Sequence, residues 1–467
     1  MTKKQFPAPL SIKKLLGPSF IILALGLGSG EVILWPYLAS NYGLGIAWGA
    51  ILGITFQFFI NMEIERYALV KGESVFVGIA RIFKWATAWF VLSTFIGFSL
   101  PGIVAASAKV LSSVLGIADF KWIAIVMLIV IGIILSVGKT VYSTMEKITK
   151  TIILIGVPFI FLLVIILSSK AGWVSLASGV VGRGDNFWFL PHGIGLATFL
   201  AAFAYSGAGG NLNLTQSIYV KEKGYGMGRY SQKIVGLFHS KEKAKIKLTG
   251  EDFIVNEESI SRFKAWWKVI NLEHFIVFLF IGSMSMALLM LLSFTTTFGL
   301  SGNSEGINFV INEGRIIGQS LLPIFGTLFL VVVSIMLFQT QLGVMDSTSR
   351  IMAENIAIAR LKRNSKSAIN LSRIYYFFVW AQILFGIILF LCNIYEPKTL
   401  IIMGAVINAF AMFVHTGLVV WLNYKSLPKV FQPKVFRKII IGVIFLFFGF
   451  FSTIVLLEKL GILNVQI

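Results

Sequence analysis

Two short stretches of this sequence hold the residues best suited to grip a solute. One is "GLGSGE", Gly26 to Glu31, and the other is "YSGAGGNLN", Tyr205 to Asn213. Glycine weakens a helix and lets it unwind, so Gly28, Ser29 and Gly30 mark one expected helix break, and Ala208, Gly209 and Gly210 lie in a second. Inside a bilayer, unwound backbone exposes carbonyls and amides that protein, water or a bound solute must satisfy, and a cation suits the carbonyls. Glu31 would open the helix after the first break, where the positive end of the helix dipole favours its ionised form. It has three readings: cation ligand, proton acceptor, or structural cap tying the break together. Asn211 and Asn213 offer side-chain oxygens to a solute, or else satisfy the broken backbone.

Other polar residues invite weaker readings. "LFQTQLGVMDSTSRIMAEN" sets Asp346, Arg350 and Glu354 at helical i, i+4 spacing. That reads as an intrahelical ion-pair ladder at the cytoplasmic surface, or as an inner gate or proton exit. Gln339 and Gln341 are candidates for a cavity wall. Glu63, with Glu65 and Arg66, closes an apolar stretch as an interfacial pair or a gating salt bridge. Asn408 and His415 read as hydrogen-bonded packing, with a relay as the alternative for the histidine. Gly45, Gly49 and Gly53 form a small-residue stripe for close helix contact.

Signatures of catalysis are missing. The sequence has no GxxxxGK[ST], HExxH or GxSxG motif, and the Gly26, Gly28, Gly30 run has no strand before it to make a dinucleotide loop. With one cysteine, Cys392, no intrachain disulfide can form, and the four histidines are too scattered for a zinc module. The expectation is a protein that is not an enzyme and carries no cofactor.

The elements that must position these residues follow from composition. Of 467 residues, 57% are hydrophobic and 13% charged, against about 25% charged in soluble domains, and the mean hydropathy is +0.86. This is the profile of an all-α integral membrane protein. A membrane-crossing helix needs roughly 20 mostly apolar residues. Eleven transmembrane stretches qualify, at about 16–41, 44–70, 85–115, 121–138, 145–169, 194–220, 274–297, 317–345, 374–393, 399–423 and 437–460. They are continuously apolar, unlike the alternating strands of a barrel. The basic start of the chain runs into apolar sequence too long for a signal peptide and reads as a retained first span. The net charge of +20 collects in short segments between spans. By the positive-inside rule these place the N-terminus in the cytoplasm and the C-terminus outside. Lysine- and isoleucine-rich loops suggest a cell (plasma or inner) membrane.

The long insertion 221–272 pairs a basic stretch with aromatics. It reads as a cytoplasmic loop ending in an interfacial helix whose Trp266 and Trp267 sit among headgroups. Nucleic acid is not the expected partner; membrane lipid is.

The two glycine breaks fall in the first and sixth spans, five apart in a row of ten. That is the pattern of an inverted-repeat transporter with its site at mid-membrane. Residues 1–169 would form the first repeat, 194–423 the second with its insertion, and 437–460 an additional span.

At these breaks the sequence resembles the Nramp (natural resistance-associated macrophage protein) family of proton-coupled divalent metal transporters. "GPSFIILALGLGSGE" aligns without a gap to that family's first-helix pattern, a GPGF-like start followed by Asp-Pro-Gly-Asn. "AGGNL", Ala208 to Leu212, matches its sixth-helix Met-Pro-His-Asn-Leu. The resemblance implies a LeuT-like fold of 5+5 inverted repeats, with the solute between broken helices 1 and 6. Gly30, Asn211 and Leu212 are shared. The family's metal-binding Asp falls on Gly28, its Pro on Ser29, its Asn on Glu31, its Met on Ala208 and its His on Gly210. Loss of the thioether removes the preference for softer metals. Glu31, Asn211 and carbonyls near Gly28 and Ala208 would form an oxygen-only set for a hard or partly hydrated cation. The expected function is Nramp-like secondary transport of a cation by alternating access, with a divalent metal ion as the candidate cation and protons as the candidate coupling ion. The alternatives are a LeuT-fold carrier of a small organic solute such as an amino acid, and a non-transporting membrane sensor or scaffold.

Overall fold

In the computed structural model the chain is helical, and the described residues contain isolated β-bridges but no strand. The structure describes residues 4–462 apart from 11–17, 27, 138–140, 235–236, 239–243, 366 and 460; Lys13 and Lys14 of the basic leader lie outside them.

The helices in chain order are α1 (Pro18–Gly26), α2 (Trp35–Tyr42), α3 (Ala47–Lys71), α4 (Val75–Ile82), α5 (Ala86–Phe98), α6 (Gly102–Leu115), α7 (Lys121–Val137), α8 (Val141–Leu167) and α9 (Lys170–Val180). After them come α10 (Leu196–Ala204), α11 (Thr215–Lys223), α12 (Glu257–His274), α13 (Ile281–Thr297), α14 (Asn308–Ser320), α15 (Pro323–Arg363), α16 (Leu371–Leu391), α17 (Pro397–Ser426) and α18 (Val435–Lys459). Among the described residues, seven helices are long and apolar enough to cross a membrane, or up to eight with one bent pair. The first and sixth expected spans are not in that number because each is split: α1, α10 and α11 have 9 residues apiece, and α2 has 8.

Burial sorts the helices. The most apolar windows of α3 and α15 are 72% buried, whereas that of α18 is 28% buried. The first two are central, and α18 shows most of its surface to the surroundings. The glycine stripe makes close packing possible. A β-carbon on Gly49 would lie 2.8 Å from the Trp35 ring, and one on Gly53 would lie 2.4 Å from Ser206 Oγ. Any larger residue would push α3 away from both breaks.

Two sequence expectations are corrected here. The segment around Trp266 is not an interfacial helix. α12 starts from an Asn256–Ser259 capping box and runs through a π-helical turn, Phe275–Phe280, into α13 as one helix of 41 residues. Trp266 is fully buried, donates its indole N–H to the Pro7 carbonyl at 3.0 Å and packs on Tyr225. Trp267 lies against the guanidinium groups of Arg66 and Arg437, at 3.9 and 4.8 Å. These contacts come from segments distant in sequence, so a local reading could not see them. In the same way α15 does not stop near residue 345 but continues to Arg363, with basic residues in its last turn where the helix dipole favours them.

The insertion is docked against the bundle. Gly250 N–H donates to Glu73 at 3.0 Å, Lys4 pairs with Phe253, and Ala244 pairs with Ile369. It therefore touches the N-terminal segment, the turn after α3 and the turn after α15.

Candidate functional site

The first break begins where α1 ends. Gly28 N–H turns back onto the Gly26 carbonyl at 2.6 Å, and the backbone resumes as a π-helical turn, Ser29–Leu34, that leads into α2. The second break is Tyr205 to Gly209, between the end of α10 and a 3-10 turn, Gly210–Leu214, that precedes α11. Gly209 and Gly210 have φ of +70° and +49°, a region that L-residues with a side chain rarely enter. Both glycine-rich stretches interrupt their helices as the sequence suggests.

The two breaks meet backbone to backbone. A β-carbon on Gly30 would sit 1.7 Å from the Tyr205 carbonyl oxygen, and one on Gly26 would sit 2.8 Å from Gly207. Thr340 of α15 covers Gly28, at 2.3 Å from where a β-carbon would be. Gln339 and Gln341, on either side of Thr340, are buried, and Gln341 Oε1 has no hydrogen-bond partner among the described residues. Sequence reasoning picked the two glutamines and missed the threonine between them.

Side chains from neighbouring helices hold the second break open. Gln57 of α3 donates to the Ala204 carbonyl and accepts from Gly209 N–H, both at 3.0 Å. Asn408 of α17 donates to Tyr205 Oη at 2.9 Å and to the Gly97 carbonyl at 3.0 Å, and His415 Nε2 lies 3.0 Å from the Gly210 carbonyl. Asn408 and His415 are thus hydrogen-bonded as expected, each with one partner at the second break. Gln57 was overlooked, although a lone glutamine in an apolar span is a visible signal.

Glu31 is fully buried, and neither carboxylate oxygen has a partner among the described residues. One oxygen faces Gly282 of α13, 3.8 Å from where a β-carbon would lie, and Ile54 and Leu23 crowd the same spot. Asn211 turns elsewhere: its amide donates to Ser93 and Thr94 of α5 at 2.8 and 3.0 Å, leaving Oδ1 unbonded. Both polar atoms of Asn213 are buried and unbonded. Glu31 and Asn211 therefore share no bonded neighbour in this conformation, and the described residues contain no converging group of three or more His, Cys, Asp or Glu able to hold a metal. Ser29, Ala208 and Gly210 line the breaks through their backbone and are buried.

The remaining candidates sit at the basic ends of the helices. Asp346 and Arg350 are paired at 2.9 Å, but they are buried rather than superficial: Tyr375 donates to Asp346 at 2.7 Å, and the guanidinium lies over Phe238. Glu354 is not a second rung; it accepts from Ser74. Glu63 pairs with Arg66 at 2.8 Å and Arg437 at 3.4 Å and accepts from Asn423, so it joins α3, α17 and the start of α18. Glu65 does not share in that pair.

Solved structures give the fold a context. The manganese transporter of Eremococcus coleocola matches with a TM-score of 0.70 at 12% identity, covering 97% of this chain and 89% of that one, in a point-variant crystal structure. The nucleobase-cation-symport-1 family transporter Mhp1, closed on bromovinylhydantoin, matches with a TM-score of 0.50 at 12% identity, covering 96% and 91%. MhsT in complex with L-phenylalanine matches with a TM-score of 0.50 at 16% identity, covering 94% and 97%. At such identities the likeness is one of fold: this chain shares the helical architecture of these three transporters. No family model matches the chain, and no curated protein sequence matches it.

Proposed function

We propose that the chain is an Nramp-like secondary transporter that carries a cation across the membrane by alternating access. The observation that carries this reading is Glu31, a carboxylate buried beside two abutting helix breaks with both oxygens unbonded among the described residues. A buried carboxylate without a partner is costly unless something compensates it, and a cation arriving at the breaks would do so. An anionic solute would meet repulsion there. Backbone carbonyls at Gly28 and Ala208 and the spare oxygens of Asn211 and Asn213 add neutral donors of the kind a hard, partly hydrated ion takes. Ser29, Gly30, Gly209 and Gly210 shape the opening. Since Glu31 and Asn211 face different helices in this conformation, a change in the half-helix angles would bring them to one ion.

The full reading is an eleven-span, 5+5 inverted repeat with the N-terminus cytoplasmic and the C-terminus outside. Its repeats are residues 1–169 and 194–423, followed by one additional span at 437–460. Gln339, Gln341, Glu63, Asp346 and Arg350 are assigned to the gates that close either side, with protons as a coupling ion to be tested. Transport in liposomes decides the matter. Purified protein should take up manganese, magnesium or calcium, with a pH gradient tested as the driving force. Uptake of amino acids and of no divalent ion would replace the cation by an organic solute. If no solute moves, and deleting residues 236–260 abolishes the cellular function, the chain is a sensor instead.

A further inference from the structure

Below the breaks, toward the basic end of the molecule, α3 carries a line of polar residues that an apolar span does not need for folding. Gln57, Asn61 and Glu65 recur every four residues, so they lie on one face of the helix. All three are buried. Gln57 holds the second break, which fixes the upper end of the line at the site.

The atoms along this line are poorly satisfied. Neither polar atom of Asn61 is bonded, Glu65 Oε1 is unbonded, and Gln216 of α11, which donates to Glu65 at 3.5 Å, leaves its own oxygen unbonded. A second carboxylate, Glu273, lies at the end of α12 that packs on α3, where its neighbour His274 stacks on Phe58. Glu273 accepts from Ser19 of α1 and keeps one oxygen unbonded; the same hydroxyl lies 2.9 Å from His274 Nδ1. His274 is stacked on Phe58 and Phe278, and its Nε2 is unbonded. Among the described residues no Lys or Arg pairs with Glu65 or Glu273.

Buried polar atoms are normally hydrogen-bonded, and ionisable groups at membrane depth usually mark an ion or proton route. Orphaned oxygens grouped on three helices, next to the halves that alternating access must move apart, are what a passage looks like when shut. We infer that the Gln57, Asn61, Glu65 face of α3 is one wall of the passage between the breaks and the basic side, and that Glu65 and Glu273 form a second, transient station for the cation. This rests on the reading of the breaks as a cation site. The groups do not close into a metal chelate, so the ion passes here with part of its water.

Cysteine accessibility in proteoliposomes tests the wall without relying on transport. On a Cys392→Ser background, Asn61→Cys and Glu65→Cys should react with a hydrophilic thiol reagent, while Met62→Cys, next to Asn61 but around the helix and equally buried, should not. If Asn61→Cys reacts no faster than Met62→Cys, the passage is overturned. The station is tested by Glu65→Gln, expected to lower manganese uptake by about tenfold while manganese binding in detergent stays near wild type, with partial rescue by Glu65→Asp. Unchanged uptake in Glu65→Gln overturns the station. The two readings fail separately. Loss of the cation site would show as binding indifferent to Glu31→Gln, whatever the thiol reactivity at Asn61.

Discussion

Trp35 donates its indole N–H to Ser206 Oγ at 2.8 Å, which ties the second half of the first broken helix to the centre of the second. Ser206 in turn donates to the Ala202 carbonyl at 3.0 Å, the last turn of α10. A movement of α2 therefore pulls on the second break directly, through one side-chain contact fully removed from water.

This contact should be measurable as a coupling. Trp35→Phe and Ser206→Ala are each expected to cost about 1 kcal/mol, and the double variant less than their sum by about 0.5–1.5 kcal/mol. Thermal unfolding of the purified protein in detergent gives the three values; strict additivity would mean that the two breaks are not joined here.

Gly30 has no room for a methyl group, because the Tyr205 carbonyl occupies the place. Gly30→Ala is expected to abolish uptake and to destabilise the fold by roughly 1–3 kcal/mol. Gly442→Ala, at a position with nothing within 4 Å, is the matched control and should behave as wild type in both assays.

Ligand binding should stabilise the protein through Glu31. Saturation to about 100 times Kd gives about 2.7 kcal/mol, which appears as a rise in unfolding temperature with the transported cation. Glu31→Gln should remove that rise and leave the cation-free protein at least as stable as wild type, since a buried unpaired charge is gone. An equal rise in both proteins would place the ion elsewhere.

The Asp346–Arg350 pair is enclosed, so breaking it differs from removing it. Asp346→Asn should cost about 3–5 kcal/mol by leaving the guanidinium unpaired, whereas Asp346→Leu with Arg350→Met should cost much less. Unfolding midpoints of the single and double variants compare the two. A single-variant loss under about 1 kcal/mol would make the pair superficial in effect.

What could be read from sequence was whatever is encoded locally. Glycine clusters at Gly28 to Gly30 and Gly207 to Gly210 announce broken helices, because the backbone property is in the residue itself. The i, i+4 spacing of Asp346 and Arg350 correctly gives their pairing. Depth is different. That Tyr375 and Phe238 enclose the pair, or that Pro7 receives Trp266, depends on segments brought together only by the fold. The sequence sets Glu63, Glu65 and Arg66 together without saying which acid pairs; i, i+3 spacing brings Glu63 to Arg66, while Glu65, adjacent to Arg66, points away from it. The Gln57, Asn61, Glu65 periodicity was available and unused.

The helix from Glu257 to Thr297 has 41 residues, which makes it about 62 Å long, while the hydrocarbon layer is about 30 Å thick. Roughly half of this rod must stand clear of the lipid, and its π-helical turn lies against Gly207 of the second break. A tilt of about 10° there would swing the far end by about 5 Å. Because Gly282 of the same rod lies against Glu31, such a tilt would be expected to accompany an adjustment at the carboxylate, and a spectroscopic label near Glu257 would record it.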